Sequence, residues 1–316
     1  MDNLAHSLAG AALAKIGLER RTPLAMPTLL IAANLPDIDV LAYLRDPLFA
    51  LTFRRGWTHG VLAMAVLPGI LAGIMLAWDR LVRLRRRPDA EPAPFRELLL
   101  VGLAGMLSHP LLDLLNTYGV RLLMPFSGRW FYGDTLFIID PWLSGLFALT
   151  WLLGTVGNGR EQAGKGGNRN RRLARVAAGL AVVYIAGMFT LGRAARSVAA
   201  REGATLGLRP VRTMAAPVPV DAFRRAVLFD LNDSYRWASF DWRRRPTRLA
   251  ADLEVVRKNF DRPEVAAALA HPDARAFLGW SRFPAAALVS HGVRLYDLRY
   301  AGPDTDSWAS VVIPVR

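Results

Sequence analysis

Apolar runs separated by arginine clusters dominate the first two thirds of the chain. The clearest are Val61–Trp78, Leu98–Leu115, Leu136–Val156 and Leu173–Leu191. Each is close to the roughly 20 residues a helix needs to cross a bilayer core. Two shorter runs precede them, Leu4–Leu18 and Leu24–Leu35, split by Glu19-Arg20-Arg21. At these lengths they read as tilted spans, re-entrant helices or interfacial helices. Small residues in the first of them, Ser7, Ala9, Gly10, Ala11 and Ala14, would let another helix pack closely against it.

The pattern changes after a proline-bearing stretch from Arg209-Pro210 to Pro217-Val218-Pro219. Ala226–Leu231, Arg236–Trp242, Val293–Tyr300 and Ser307–Ile313 have strand-like content. Leu249–Phe260, Pro263–Leu269 and Asp273–Leu278 read as helices, with Pro263 suited to a first turn. The prediction is a mostly α fold. A polytopic helical membrane domain (1–193), with four clear spans, two short amino-terminal ones and the candidate metal site, is followed by a linker (194–220) and a small α+β extramembrane domain (221–316).

Composition sharpens this picture. Hydrophobic residues make up 53% of the 316, yet the formal charge is +14. The arginines flank the apolar runs, which is topology rather than a nucleic-acid footprint. The bilayer is therefore the expected partner, and no nucleic acid is expected. With no cysteine, disulfides, thiolate ligands and a cysteine nucleophile are excluded. Asp2 and His6 stand where a signal peptide would be positive, so the first segment is expected to stay in the mature protein.

The positive-inside rule places two loops in the cytoplasm. One carries Arg80, Arg83, Arg85, Arg86 and Arg87; the other Arg160, Lys165, Arg169, Arg171, Arg172 and Arg175. A multi-pass inner (plasma) membrane protein follows, with His6, Asp37, Asp39, His59, Asp113 and Asp140 at the outer face beside the carboxy-terminal domain. Arg193, Arg196 and Arg201 pull the other way, but long trailing domains translocate largely regardless of charge.

Three short motifs set histidine and aspartate beside the apolar runs, Leu35-Pro-Asp37-Ile-Asp39, Arg55-Gly-Trp-Thr-His59 and His109-Pro-Leu-Leu-Asp113, with His6 apart. Ionisable groups beside membrane spans are costly unless paired or coordinated. A His/Asp set without thiolate suits a divalent metal, with zinc first and manganese or iron open. His109 and Asp113 share a helix face at i, i+4, and Pro110 should kink that helix; a hydrogen-bonded structural pair is the alternative. Asp37 and Asp39 at i, i+2 can reach one ion only from a loop or helix entrance, and capping competes as their role. Arg55 could neutralise an anionic oxygen, or with Trp57 anchor the chain at the interface. Asp140 before Pro141 reads as a helix cap, while His271 and His291 read as structural. No phosphate-cradling loop, Gly-x-Ser-x-Gly elbow or HExxH helix is present.

His6 with the small residues after it, Leu-Pro-Asp37-Ile-Asp39, Arg55-Gly-Trp-Thr58-His59 and His109-Pro-Leu-Leu-Asp113 followed by Thr117-Tyr118-Gly119 resemble the YdjM-like family of membrane-bound predicted metal-dependent hydrolases, over roughly residues 1–155 and the trailing domain. The resemblance implies a multi-pass inner-membrane protein with a hydrolase-like metal centre. A more distant similarity to the zinc-dependent phospholipase C and nuclease group tilts the expected bond toward a phosphoester. The expected metal ligands are His6, Asp37, Asp39, His59, His109 and Asp113. Asp39 or Asp113 would act as general base, and Arg55 would stabilise developing negative charge. The expected substrate is a lipid-like or anionic amphiphile, and no protein partner is identified. A structural metal site with a partner-binding outer domain, or a metal or ion transporter, are the competing readings.

Overall fold

In a computed structural model, residues 1–156, 165–250 and 253–315 are described. The chain is mostly helical in its amino-terminal part and ends in small antiparallel sheets. The described residues form two compact units: Met1–Ile38, Arg55–Leu191 and Pro217–Asp221 in one, and Asp39–Arg54, Gly192–Ala216 and Ala222–Arg316 in the other.

The first unit begins with α1 (Asn3–Lys15), capped by Asp2, whose carboxylate accepts from the Ala5 amide. α2 (Ala25–Asn34) packs across it. Gly10 makes that approach possible, because a Cβ there would lie 2.9 Å from the Leu29 carbonyl oxygen. The expected small-residue packing face is thus real. α2 runs on as a 3-10 helix, Leu35–Leu44. α4 (Val61–Trp78) passes through a π turn (Asp79–Arg83) into a single turn, α5 (Leu84–Arg86). α6 (Phe95–Leu114) remains α-helical through Pro110. α7 (Pro141–Thr155) and α8 (Lys165–Thr205) complete the helices, and from Gly192 onward α8 belongs to the second unit.

Among the described residues, four helices are long and apolar enough to cross a membrane: Ala25–Leu44, Val61–Arg86, Phe95–Leu114 and Asn168–Thr205. Three of them cover expected spans, but Leu136–Val156 is replaced by Ala25–Leu44. Asp140 and Pro141 start α7 late and leave it 15 residues, about 22 Å of helix and short of the bilayer core. Meanwhile the 3-10 extension lengthens α2. Along α4, Leu62, Val66, Ile70, Ile74 and Trp78 are all exposed, a stripe at four-residue spacing. In water such a patch would drive association; against lipid tails it carries no penalty. The opposite face of α4, with Leu71, Ala72 and Met75, is buried with Leu24, Ala32 and Leu98. Arg160, counted above in the loop charge, lies outside the described residues.

In the second unit, β1 (Arg212–Pro217), β2 (Arg224–Asp230), β3 (Ser234–Asp241) and β4 (Glu254–Arg257) form a sheet in that order, and β5 (Pro284–Val289), β6 (Gly292–Asp297) and β7 (Ser310–Ile313) a second one. Alternate residues Val227 and Phe229 on β2, and Ala238 and Phe240 on β3, point into one cluster with Ala195 and Ala199 of α8, as a period of two requires. α9 (Pro263–Leu269) starts at its proline, as expected; α10 (Pro272–Trp280) starts one residue before the expected Asp273 and runs two beyond Leu278, and α3 (Pro47–Phe53) packs on α10.

The expected helix at Leu249–Phe260 is not one. Leu249 bridges to Phe240, and residues 254–257 pair with β3 as its edge neighbour. Val256 turns inward while Val255 is exposed, so sheet pairing overrides a local composition that favoured helix. β1 and β5 went unread because proline-flanked and alanine-rich segments carry little strand signal.

Candidate metal centre

Five of the six expected ligands meet in the first unit, and each comes with a local reason. α6 contributes His109 and Asp113, one turn apart on its buried face. α1 contributes His6, whose ring stacks on His109 with centroids 3.7 Å apart. The 3-10 segment contributes Asp37, and the turn before α4 contributes His59. His6, His59, His109 and Asp113 are fully buried, and Asp37 is 7% exposed. Two overlapping groups able to hold a metal ion result: His6, His109 and Asp113, and Asp37, His59 and His109.

The separations test whether an ion fits. His59 Nε2 lies 3.1 Å from His109 Nε2 and 3.3 Å from Asp113 Oδ2. His109 Nε2 lies 3.4 Å from the same oxygen. Asp37 Oδ1 stands 3.9 Å from His59 Nε2 and 3.7 Å from His109 Nε2. Four ligands at the usual zinc distances on a tetrahedron would be about 3.3–3.4 Å apart. The His59, His109 and Asp113 atoms stand close to that spacing, and Asp37 lies wider from both histidines.

Electrostatics agrees. His109 Nδ1 is 2.7 Å from the Ala33 carbonyl oxygen, which can only accept, so Nδ1 carries a hydrogen and the neutral ring turns a lone pair inward. That lone pair faces two carboxylate oxygens. Asp113 Oδ2 has no hydrogen-bond partner, and neither have the two ring nitrogens of His6. Acceptors gathered in a buried site need a donor or a cation among them, a need met by a hydrogen on His59 Nε2, 3.1 Å from His109 Nε2, or by a metal ion in its place. The Ala33 carbonyl is also the kind of outer partner that orients a metal-binding histidine.

Asp113 divides its carboxylate. Oδ2 faces His59 and His109, while Oδ1 takes the Arg55 guanidinium at 3.1 Å and the Met1 amino group, with His6 Nε2 at 3.5 Å. Arg55 is buried, donates to Asn116 Oδ1 at 3.1 Å and lies 4.7 Å over the Tyr118 ring. Its backbone is left-handed, φ 52°, a conformation that costs a non-glycine residue of order 1 kcal/mol. Its carbonyl accepts from the Arg121 amide, 2.8 Å away. Gly56 follows because any Cβ there would meet the Arg121 guanidinium at 2.5 Å.

The remaining candidates stand elsewhere. Asp39 belongs to neither group, and its Oδ1 accepts from Arg54 Nε at 3.1 Å. In a 3-10 helix, side chains two apart diverge by about 120°, which turns Asp37 and Asp39 apart. Trp57 is half exposed while Arg55 is buried, which separates two residues that shared one interfacial reading. Asp140 caps α7 through the Leu143 amide and accepts from the Tyr184 hydroxyl. His271 caps α10. Sequence reasoning gave no role to Tyr118, Arg121 or the Ala33 carbonyl; Tyr118 entered only through the Thr117-Tyr118-Gly119 of the family resemblance.

A family model described as YdjM inner membrane protein matches residues 1–195. The chain is also similar to "Uncharacterized protein YfhP" of Bacillus subtilis (strain 168), 26% identical over 114 residues. That similarity covers 36% of this chain and 32% of the relative, about a third of each. No solved structure matches.

Proposed function

The chain belongs to the YdjM inner membrane protein family, and from that premise we propose that it is a membrane-bound, metal-dependent hydrolase of a phosphoester or other ester on a membrane-associated substrate. Family and apolar helices together support a multi-pass inner-membrane protein in a lipid bilayer. The observation that carries the proposal is the buried pair of overlapping donor groups, His6, His109 and Asp113 with Asp37, His59 and His109, in which His59, His109 and Asp113 stand 3.1–3.4 Å apart. These residues would hold the ion, His6 closing the set from α1, with zinc the first choice and manganese or iron open. When bound, such an ion supplies Lewis acidity and a more acidic water.

The chain's own groups divide the rest of the work. Asp113 is committed to Arg55 and the Met1 amino group, and Asp39 to Arg54. Arg55, fixed by Asn116 and Tyr118, supplies a preorganised positive charge for an anionic oxygen. Loop charge supports an outer-face site.

The experiment measures bound metal, then turnover, on purified protein with and without chelation. Wild type and His271→Ala should hold metal stoichiometrically, while His59→Ala and His109→Ala should lose it. Metal-dependent hydrolysis within a panel of phosphodiesters, phosphomonoesters, phospholipids and acyl esters is the expected result. Turnover of acyl esters alone would move the bond class. Turnover of nothing by metal-loaded protein would leave the second reading, a structural ion that staples α1, the 3-10 segment, the turn before α4 and α6. The near-complete burial of every donor favours that alternative over a transport path.

A further inference from the structure

Unit one contains an apolar cavity of about 270 Å³ between α1, α6, α7 and α8. Its walls are entirely hydrocarbon apart from Ser108, whose hydroxyl donates to the Gly105 carbonyl of its own helix at 2.7 Å. A water placed there would lack the two to four polar partners that hold buried water. The space exists because Ala9, Ala12, Ala178 and Ala181 face it, and their side chains end at Cβ. Its volume equals about nine water-sized volumes, room for a chain of roughly as many methylenes.

Its position gives the cavity meaning. On α6, the wall residues Ser108 and Leu112 each precede a donor of the metal centre, His109 and Asp113. On α1, Ala9, Leu13 and Ile16 line the cavity at i+3, i+7 and i+10 from His6, so the same side of the helix carries the polar group at one end and the apolar wall along about 15 Å of axis. Leu111 and Val182, also in the wall, are 62% and 66% exposed, so the cavity borders the lipid-facing surface. An occupant would enter from the membrane with its polar end toward His6 and its tail along α1.

We propose that this cavity holds one hydrocarbon chain of a membrane lipid and that, on the hydrolase reading above, this lipid is the substrate. The centre then cleaves an ester in the head of an amphiphile whose tail lies between α1 and α8.

The test uses full-length protein in lipid nanodiscs containing a phospholipid with a diazirine in mid-chain, mapped by peptide after photolysis. Labelling should concentrate on the α1 and α8 wall, around Ala12 and Ala181, relative to the exposed α4 residues Ile70 and Ile74. Ala181→Leu and, separately, Ala178→Leu should reduce it at least about fivefold with metal content retained. Equal labelling of wall and α4, or no loss in either variant, would overturn the site. In parallel, KM for esters of increasing chain length should fall by about tenfold or more across eight carbons, and Ala181→Leu should collapse that preference. Hydrolysis indifferent to chain length would overturn the substrate assignment while the hydrolase reading stands. Variant-sensitive labelling without any turnover would uphold the chain site and defeat the hydrolase reading.

Discussion

Replacing Arg55 with methionine removes a charge while keeping most of the side chain's bulk, which isolates the electrostatic role of that residue. The guanidinium lies 3.1 Å from Asp113 Oδ1 and 3.1 Å from Asn116 Oδ1, and all three residues are buried. At an effective dielectric near 20, a pair at that distance interacts by about 5 kcal/mol. Breaking a buried pair by deleting one partner costs about 3–5 kcal/mol, because the other charge stays behind. The Met1 amino group remains on the same carboxylate oxygen, so the lower end, about 3 kcal/mol, is expected for metal-stripped protein. With an ion among the donors, Asp113 regains a positive neighbour, and the expected loss shrinks to about 1 kcal/mol. Linkage makes that difference of about 2 kcal/mol reappear as metal affinity: Arg55→Met should bind the ion about 30-fold more tightly. Unfolding by SDS titration in mixed micelles, with chelator and with saturating zinc, measures the first quantity. Chelator competition measures the second. Equal destabilisation in both conditions, or weaker metal binding by the variant, would refute this account of the centre.

Gly10→Ala should cost about 1–3 kcal/mol of stability, because the new Cβ would lie 2.9 Å from the Leu29 backbone carbonyl oxygen, which cannot swing aside; unchanged unfolding of the variant would contradict this. In the second unit, burial pushes the Asp297 carboxyl up, but Arg299, the Ser281 hydroxyl and backbone amides outweigh it and hold its pKa below the usual value. A depressed carboxylate stabilises above its unfolded pKa of about 3.9 and loses that contribution as pH falls toward the folded value. Tryptophan fluorescence should therefore report loosening of this unit on acidification below about pH 4; Asp297→Asn should be less stable at neutral pH and lack that acid step, and an identical acid profile in the variant would count against it. Reporter fusions after Arg87 should read cytoplasmic and fusions at the carboxy terminus external, and the reverse pattern would invert the orientation.

What the sequence made legible follows from how local each signal is. Val61–Trp78 is found end to end, since an uninterrupted apolar run bounded by Gly60 and Asp79 leaves little freedom. Pro263 marks a helix start through its own geometry. His109 and Asp113 are tied by i, i+4 spacing within one helix. Other elements depend on partners distant in sequence. β4 is a strand because β3 lies beside it, and α7 is short because Asp140 accepts from Leu143 and fixes the start. Asp37 and Asp39 looked equivalent until the 3-10 helix turned one toward histidines and left the other on Arg54. The Ala33 carbonyl could not be anticipated at all, because a backbone oxygen has no residue type to betray it.

Five buried ionisable groups beside membrane helices would each be prohibitive alone. They become affordable by satisfying one another, and that mutual dependence constrains the fold as much as the chemistry. His6 sits on α1 only because Gly10 admits α2 and brings α1 close to α6, where His109 receives the histidine ring. His109 presents Nε2 only because Ala33 of α2 takes Nδ1. Asp113 keeps one oxygen on the ion-holding side because Arg55, from the turn before α4, occupies the other. Each helix contact therefore supports a donor, and each donor supports a contact. Such reciprocity explains why the three motifs can be short. Their specificity lies in the helix packing between them, where small residues and backbone carbonyls do the positioning that sequence motifs leave unstated.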